Sequence, residues 1–129
     1  MAELIRNVVG WFEIPVTDMK RAIKFYKDVL GHELSHQNMG DLEMALFPFA
    51  DVAGTPGSLV KHHEFYKPSA DGTLIYFTSP SGDLGNELAK VESAGGKVLM
   101  KKKFITEDTG YMGLFIDSEG NRIALHSRK

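Results

Sequence analysis

The chain of 129 residues contains no cysteine. That excludes disulfides, thiolate zinc sites, iron–sulfur clusters and a cysteine nucleophile. Charge of one sign is also scarce: 15 Lys and Arg against 17 Asp and Glu leave a net charge of −2. Gripping a phosphate backbone needs a concentrated basic field, so nucleic acid is not an expected partner. The one basic run, Lys101, Lys102 and Lys103, reads as a solvated strand end. No apolar run resembles a signal peptide or a membrane span, so a cytoplasmic protein without membrane contact is expected. There is no G-x-S-x-G turn, P-loop or dinucleotide fingerprint, and Gly95 and Gly96 follow a helical pattern where a phosphate cradle would precede one.

What is present is an ordinary globular balance, 43% apolar and 25% charged, in a length that suits one domain spanning residues 1–129. The clearest local pattern is residues 11–31. Phe12, Ile14 and Val16 alternate with Trp11, Glu13 and Pro15, the period of a strand. Met19, Ala22, Ile23, Tyr26, Val29 and Leu30 then recur at helical spacing, with Asp18 as N-cap and Gly31 as stop. One strand face is greasy and faces the helix. The other carries a tryptophan and a carboxylate.

After a lead-in at residues 1–7, strands are expected at 8–16, 32–38, 42–49 and 58–62, with a helix at 19–30. A turn at 39–41, a loop at 50–57 and a connector at 64–72 separate them. The pattern then restarts: a strand at 73–78, caps at 79–83, a helix at 84–94, and strands at 97–101, 111–116 and 122–127. Two strand–helix–strand–strand–strand modules result, 8–62 and 73–127. A right-handed crossover makes the two strands flanking each helix parallel, and a half-sheet order of 1-4-3-2 follows. The expected fold is α+β, with paired βαβββ modules forming a curved eight-stranded mixed sheet, a trough on one side and helices outside. A ferredoxin-like split fold is the rival, but it has only four strands where three strand signals follow each helix here.

On these residues the chain resembles the vicinal oxygen chelate superfamily of glyoxalase I, extradiol dioxygenases and bleomycin-resistance proteins. The carriers are Val16, Thr17 and Asp18 with Phe25 and Tyr26, then D-V-L-G at 28–31, A-G-G at 94–96 and D-S-E-G-N-R-I-A-L-H at 117–126. The resemblance implies a glyoxalase-like fold and a divalent metal (Zn, Ni, Mn or Fe) held by His, Glu or Gln on the first and fourth strands of each module. Those positions fall on Trp11, Val60, Thr73 and Ala124, where the usual ligands are missing. It also implies a homodimer, with Pro15 marking where the two sheets meet.

Two residues further along the same strands stand Glu13, His62 and His126, while the fourth equivalent is Ile75. A period of two keeps each on the face of the vacant position, so Glu13, His62 and His126 are a candidate displaced metal set. The plainer readings are a solvent-exposed His62 at a strand end, a surface His126 near the C-terminus, and a Glu13 that is paired or lines a polar pocket. Glu13 is also the candidate catalytic group. Trp11, Glu13, Met44, Tyr76 and Tyr111, with Phe115, are candidate cavity-lining residues, although core packing accounts for most of the apolar ones. Residues 103–110 read as a solvated turn or a loop over the trough, and His32 and His36 receive no role. Two functions follow: a metal-dependent lyase, isomerase or dioxygenase of small oxygen-rich substrates, or a metal-free small-molecule binder of the drug-sequestering type. A partner module using an exposed sheet edge is the third reading.

Overall fold

A computed structural model describes residues 6–129; the first five residues, part of the expected lead-in, lie outside the described residues. The first module comprises β1 (Phe12–Pro15), α1 (Met19–Leu30), β2 (Ser35–Met39), β3 (Leu42–Leu46) and β4 (Gly57–Lys61). The second comprises β5 (Ile75–Thr78), α2 (Leu84–Val91), β6 (Lys97–Thr106), β7 (Gly110–Ile116) and β8 (Arg122–Ser127). The strand orders are β1-β4-β3-β2 and β5-β8-β7-β6, with the first and fourth strands of each module parallel. The expected paired βαβββ modules and the 1-4-3-2 order are therefore both observed. No ladder joins β1 to β5 among the described residues, so the eight strands lie as two four-stranded sheets.

Local chemistry explains the helix ends. Asp18 is extended and its carboxylate accepts from the Arg21 amide at 3.1 Å, satisfying a free first-turn donor. Gly31 sits at φ +76°, a left-handed conformation that favours glycine, and its N–H donates to the Lys27 carbonyl at 2.8 Å. Asp83 caps α2 in the same way, donation coming from Gly85. The buried stripe of α1 includes Phe25, with Ile23 half-buried at its margin. Phe25 reaches Phe115 of the second module, and its ring lies where a Cβ on Gly96 would stand.

Several boundaries moved. β1 starts at Phe12, four residues later than expected, and β5 at Ile75. β6 continues through Thr106, so Lys103 and Phe104 pair with Met112 and Tyr111, and the segment read as a solvated turn or a loop over the trough is the end of a bulged hairpin.

The two modules share one core. Phe12 stands edge-on to Phe77 at 5.8 Å, and Tyr26 contacts Phe47 at 5.5 Å and Phe77 at 5.8 Å. A polar lock secures this contact. The side chain of Glu119, on the β7–β8 turn, is fully enclosed and accepts from the amides of Thr17 (2.9 Å) and Asp18 (2.8 Å), the Thr17 hydroxyl, and Arg21 Nε at 2.7 Å. Burial opposes its ionisation, but these donors together with Ser118 outweigh burial and hold its pKa at about 2. A negative group at the start of α1 also suits the helix dipole. Beside it, the buried Tyr26 hydroxyl donates to Asp117 at 2.6 Å; burial first, then the Asp117 charge, pushes the phenol well above its ordinary pKa. No helix among the described residues is long and apolar enough to cross a membrane.

Candidate functional site

Register fixes which side chains share each sheet face. Ile14, Leu59 and Ala45 belong to the core, so their strand neighbours Glu13, Ser58, Val60, Met44 and Leu46 lie on the opposite face. In the second sheet Ile75, Ile123 and Leu125 pack inward, leaving Tyr76, Ala124, His126, Met112 and Leu114 on the other face.

Glu13 is held on that face by two donors. Tyr66 Oη donates to it at 2.6 Å and Trp11 Nε1 at 3.3 Å. The bond to Glu13 comes first in raising the Tyr66 pKa, with burial and the carboxylate's charge adding to it. Trp11 and Glu13 are therefore adjacent, as the alternation implies. Tyr66 went unnoticed in the sequence, because a lone tyrosine in a turn-rich connector carries no period. His62 is occupied locally: its Nδ1 accepts from the amides of Glu64 (3.1 Å) and Phe65 (3.3 Å), and its ring stacks with His63 and Phe65. His126 belongs to the other sheet, where Nε2 donates to the Thr109 carbonyl at 2.5 Å.

Glu13, His62 and His126 are thus not assembled into a metal set. Among the described residues no three His, Cys, Asp or Glu side chains are grouped to hold a metal ion. One ring nitrogen of each histidine is engaged by backbone on its own side, Nδ1 in His62 and Nε2 in His126. The usual positions fit a metal no better. Val60 and Ala124 have no donor atom and are fully buried, Trp11 offers an indole N–H that donates to Glu13, and only Thr73 carries an oxygen.

Tyr111 and Phe115 lie on the helix-facing side of β7. Gly113 between them is the reason: a Cβ there would meet Leu84 and Leu88 of α2, so the residue sharing their face sits beneath the helix. Phe115 is fully buried, and Tyr111 packs against the core with the Lys102 ammonium 4.6 Å from its ring centroid. Met44 is half-buried on the face of Glu13, two strands away.

The large cavity lies elsewhere along the seam. A space of about 870 Å³ opens between the β3–β4 loop and the free edge of β5, whose four residues all line it. Its wall is mainly apolar, with Phe12, Phe47, Tyr76, Phe77 and Val52, and His32 at the margin. Tyr76, half exposed, is the one expected cavity residue on this wall. The apolar Phe49 and Val52 within an otherwise loop-like segment were the signal for it. A contiguous exposed apolar patch, unlike a lone apolar side chain, marks a ligand-binding groove or an interaction site. A second, smaller cavity of about 200 Å³ contains Glu13 and lies between β1 and the starts of β5 and β8.

A family model described as Glyoxalase/Bleomycin resistance protein/Dioxygenase superfamily matches residues 8–125. No curated protein sequence matches the chain. Among solved structures, glyoxalase I from Zea mays superposes with a TM-score of 0.68 at 20% identity, over 92% of this chain and 45% of the maize chain. The chain therefore spans less than half the length of that enzyme. TnmS3, an antibiotic binding protein from Streptomyces sp. CB03234, gives a TM-score of 0.65 at 21% identity, over 98% of this chain and 100% of the other. A glyoxalase/bleomycin resistance protein from Albidiferax ferrireducens T118 gives 0.66 at 17% identity, covering 95% and 100%. At these identities the likeness is one of fold.

Proposed function

The chain belongs to the Glyoxalase/Bleomycin resistance protein/Dioxygenase superfamily, and from that premise we propose that it binds an apolar, aromatic small molecule without a metal. The observation that carries this reading is the cavity of about 870 Å³ beside the free edge of β5. Its size lies within the range of about 300–1,000 Å³ usual for sites that enclose a small organic ligand. Phe12, Phe47, Tyr76 and Phe77 supply ring faces and edges for stacking, and His32, Thr55 and Thr78 are the polar groups that would orient a ligand. The donor chemistry at Trp11, Val60, Thr73 and Ala124 weighs against the metal-dependent lyase, isomerase or dioxygenase reading. Likeness in fold and length to an antibiotic binding protein weighs in the same direction.

Within this reading Glu13 is a fixed acceptor for Tyr66 and Trp11, and its role as a catalytic group lapses. A cytoplasmic homodimer belongs to the same proposal. Its support is the half-buried row Met44, Leu46, Met112, Leu114 and Ile116 on the helix-free sheet faces, apolar surface that a second copy would cover. Sedimentation of the full chain tests that part.

Ligand-observed NMR with a panel of polycyclic aromatic compounds tests the binding. Saturable binding is expected in the presence of EDTA, and Val52→Trp, which fills the cavity from its exposed rim, should weaken it at least ~10-fold, a loss of about 1.4 kcal/mol. Metal-dependent turnover of a hemithioacetal of a 2-oxoaldehyde would overturn the reading in favour of an enzyme.

A further inference from the structure

β5 is an edge strand: it pairs with β8 on one side and with no strand on the other. Along a strand the backbone groups of successive residues turn to opposite sides, and one bond fixes the sense here. The Ser79 N–H donates to the His126 carbonyl at 2.8 Å, so Ile75, Phe77 and Ser79 turn their backbone groups to β8. Tyr76 and Thr78 turn theirs to the open edge. Their N–H and C=O groups have no hydrogen-bond partner among the described residues.

β1 does not cover this edge. Its own free side faces the second module, where the Pro15 carbonyl accepts from Asn121 at 2.8 Å. Yet no Cα of β1 comes within 8 Å of one in β5, whereas paired strands stand about 4.8 Å apart. What lies along the edge is the cavity of about 870 Å³, lined by all four residues of β5. Tyr76 and Thr78 are both exposed there.

We propose that the ligand of this cavity is a short, uncharged aromatic peptide, taken up in extended form as an added strand along Tyr76 and Thr78. The proposal rests on the reading of the cavity as an aromatic-ligand site and names the chemistry of the ligand.

Three features select it. Each of the two residues offers one donor and one acceptor, the pattern that a second peptide backbone answers. A polycyclic hydrocarbon seated on the same edge would take water from these groups and return no bond. Tyr76 and Thr78 are about 7 Å apart along the strand, so two or three ligand residues span both. Side chains of an added strand alternate between faces, with Phe12, Phe47 and Phe77 on the core side and Tyr76 on the other to receive aromatic rings. Finally, no Asp, Glu, Lys or Arg lines the cavity. A free amino or carboxyl terminus would find no counter-charge there, so the peptide is blocked at its ends or cyclic.

The test is amide hydrogen exchange and titration of the isotopically labelled full chain with N-acetyl-Phe-Ala-Phe-amide. The same peptide N-methylated at every amide and a polycyclic aromatic compound are the comparison ligands. In the free chain Tyr76 and Thr78 should exchange faster than Phe77, whose N–H lies in the ladder. Saturating peptide should slow Tyr76 and Thr78 at least ~10-fold, and the polycyclic compound should not. N-methylation should weaken binding at least ~10-fold, because it removes the ligand's donors. Thr78→Pro deletes an N–H on the open side, where proline is tolerated. It should bind the peptide ~5-fold more weakly than Thr78→Val, which keeps that N–H. Should Thr78→Pro fail to fold, the N-methylated peptide tests the same bonds from the ligand's side. Equal binding of the peptide and its N-methylated form, or unchanged exchange at Tyr76 and Thr78 under saturating peptide, would overturn the proposal. Binding of the polycyclic compound without binding of the peptide would overturn it alone; binding of neither would overturn the aromatic-ligand reading as well.

Discussion

Asn121 and Arg122 are neighbours in sequence and opposites in treatment. Asn121 is 5% exposed, and its side chain makes three hydrogen bonds, to Pro15, Asp117 and Ser69. Arg122 stands one residue on, pointing to the other sheet face, with a buried Nε that has no hydrogen-bond partner among the described residues. The same contrast divides the whole seam. On the helix side, Tyr26, Asp117, Asn121 and Glu119 form a saturated network that ties the β7–β8 turn to the start of α1. Elsewhere along the seam lie an apolar cavity and a small polar one, the latter lined by both Asn121 and Arg122. Paired polar groups fix how the modules dock; empty volume lies where a ligand has access.

The contrast can be broken most severely at Asp117. Asp117→Ala removes the acceptor of the buried Tyr26 hydroxyl and of the Glu119 and Asn121 amides, leaving several buried donors unsatisfied. A loss of about 4 kcal/mol in unfolding free energy is expected by denaturant titration. A loss below ~1 kcal/mol would mean that the network does not hold the modules together.

Glu119→Gln is the next largest. It keeps the shape but weakens the bonds to Arg21, Thr17 and Asp18, at an expected cost of about 2 kcal/mol at neutral pH. The folded pKa of about 2 lies below the ordinary 4.5, so the carboxylate's contribution is complete above pH 4.5 and fades as the pH falls toward 2. The stability gap between wild type and Glu119→Gln should close over that window. A gap that is constant from pH 6 to 2.5 would remove the charge from the explanation.

Much of the fold was legible because it rests on short-range patterns. The helix of α1, its Asp18 cap and its Gly31 stop, the module repeat and the strand order all follow from spacing within a few residues. Glu119 was not legible: D-S-E-G-N-R reads as a turn, and its partners lie about a hundred residues away in sequence. The candidate metal set failed for a related reason. Alternation placed Glu13, His62 and His126 on plausible faces, but it carries nothing about the turn at Glu64 and Phe65 that occupies His62, or the Thr109 carbonyl that occupies His126. Tyr111 misled because strand parity depends on one close approach, that of α2 over Gly113.

The smallest effect is the sharpest separation of the two sides. Arg122→Met removes a charge with no ion-pair partner among the described residues and keeps an apolar stem of similar length against Ile116. Where Glu119→Gln loses stability, this variant should lose none and gain up to about 1 kcal/mol, because no bond is broken and an unsatisfied buried donor disappears. The measurement is denaturant unfolding in chloride buffer. A destabilisation above ~2 kcal/mol in the chloride buffer would place Arg122 among the structural residues, alongside Asn121, and erase the distinction between the two sides of the seam.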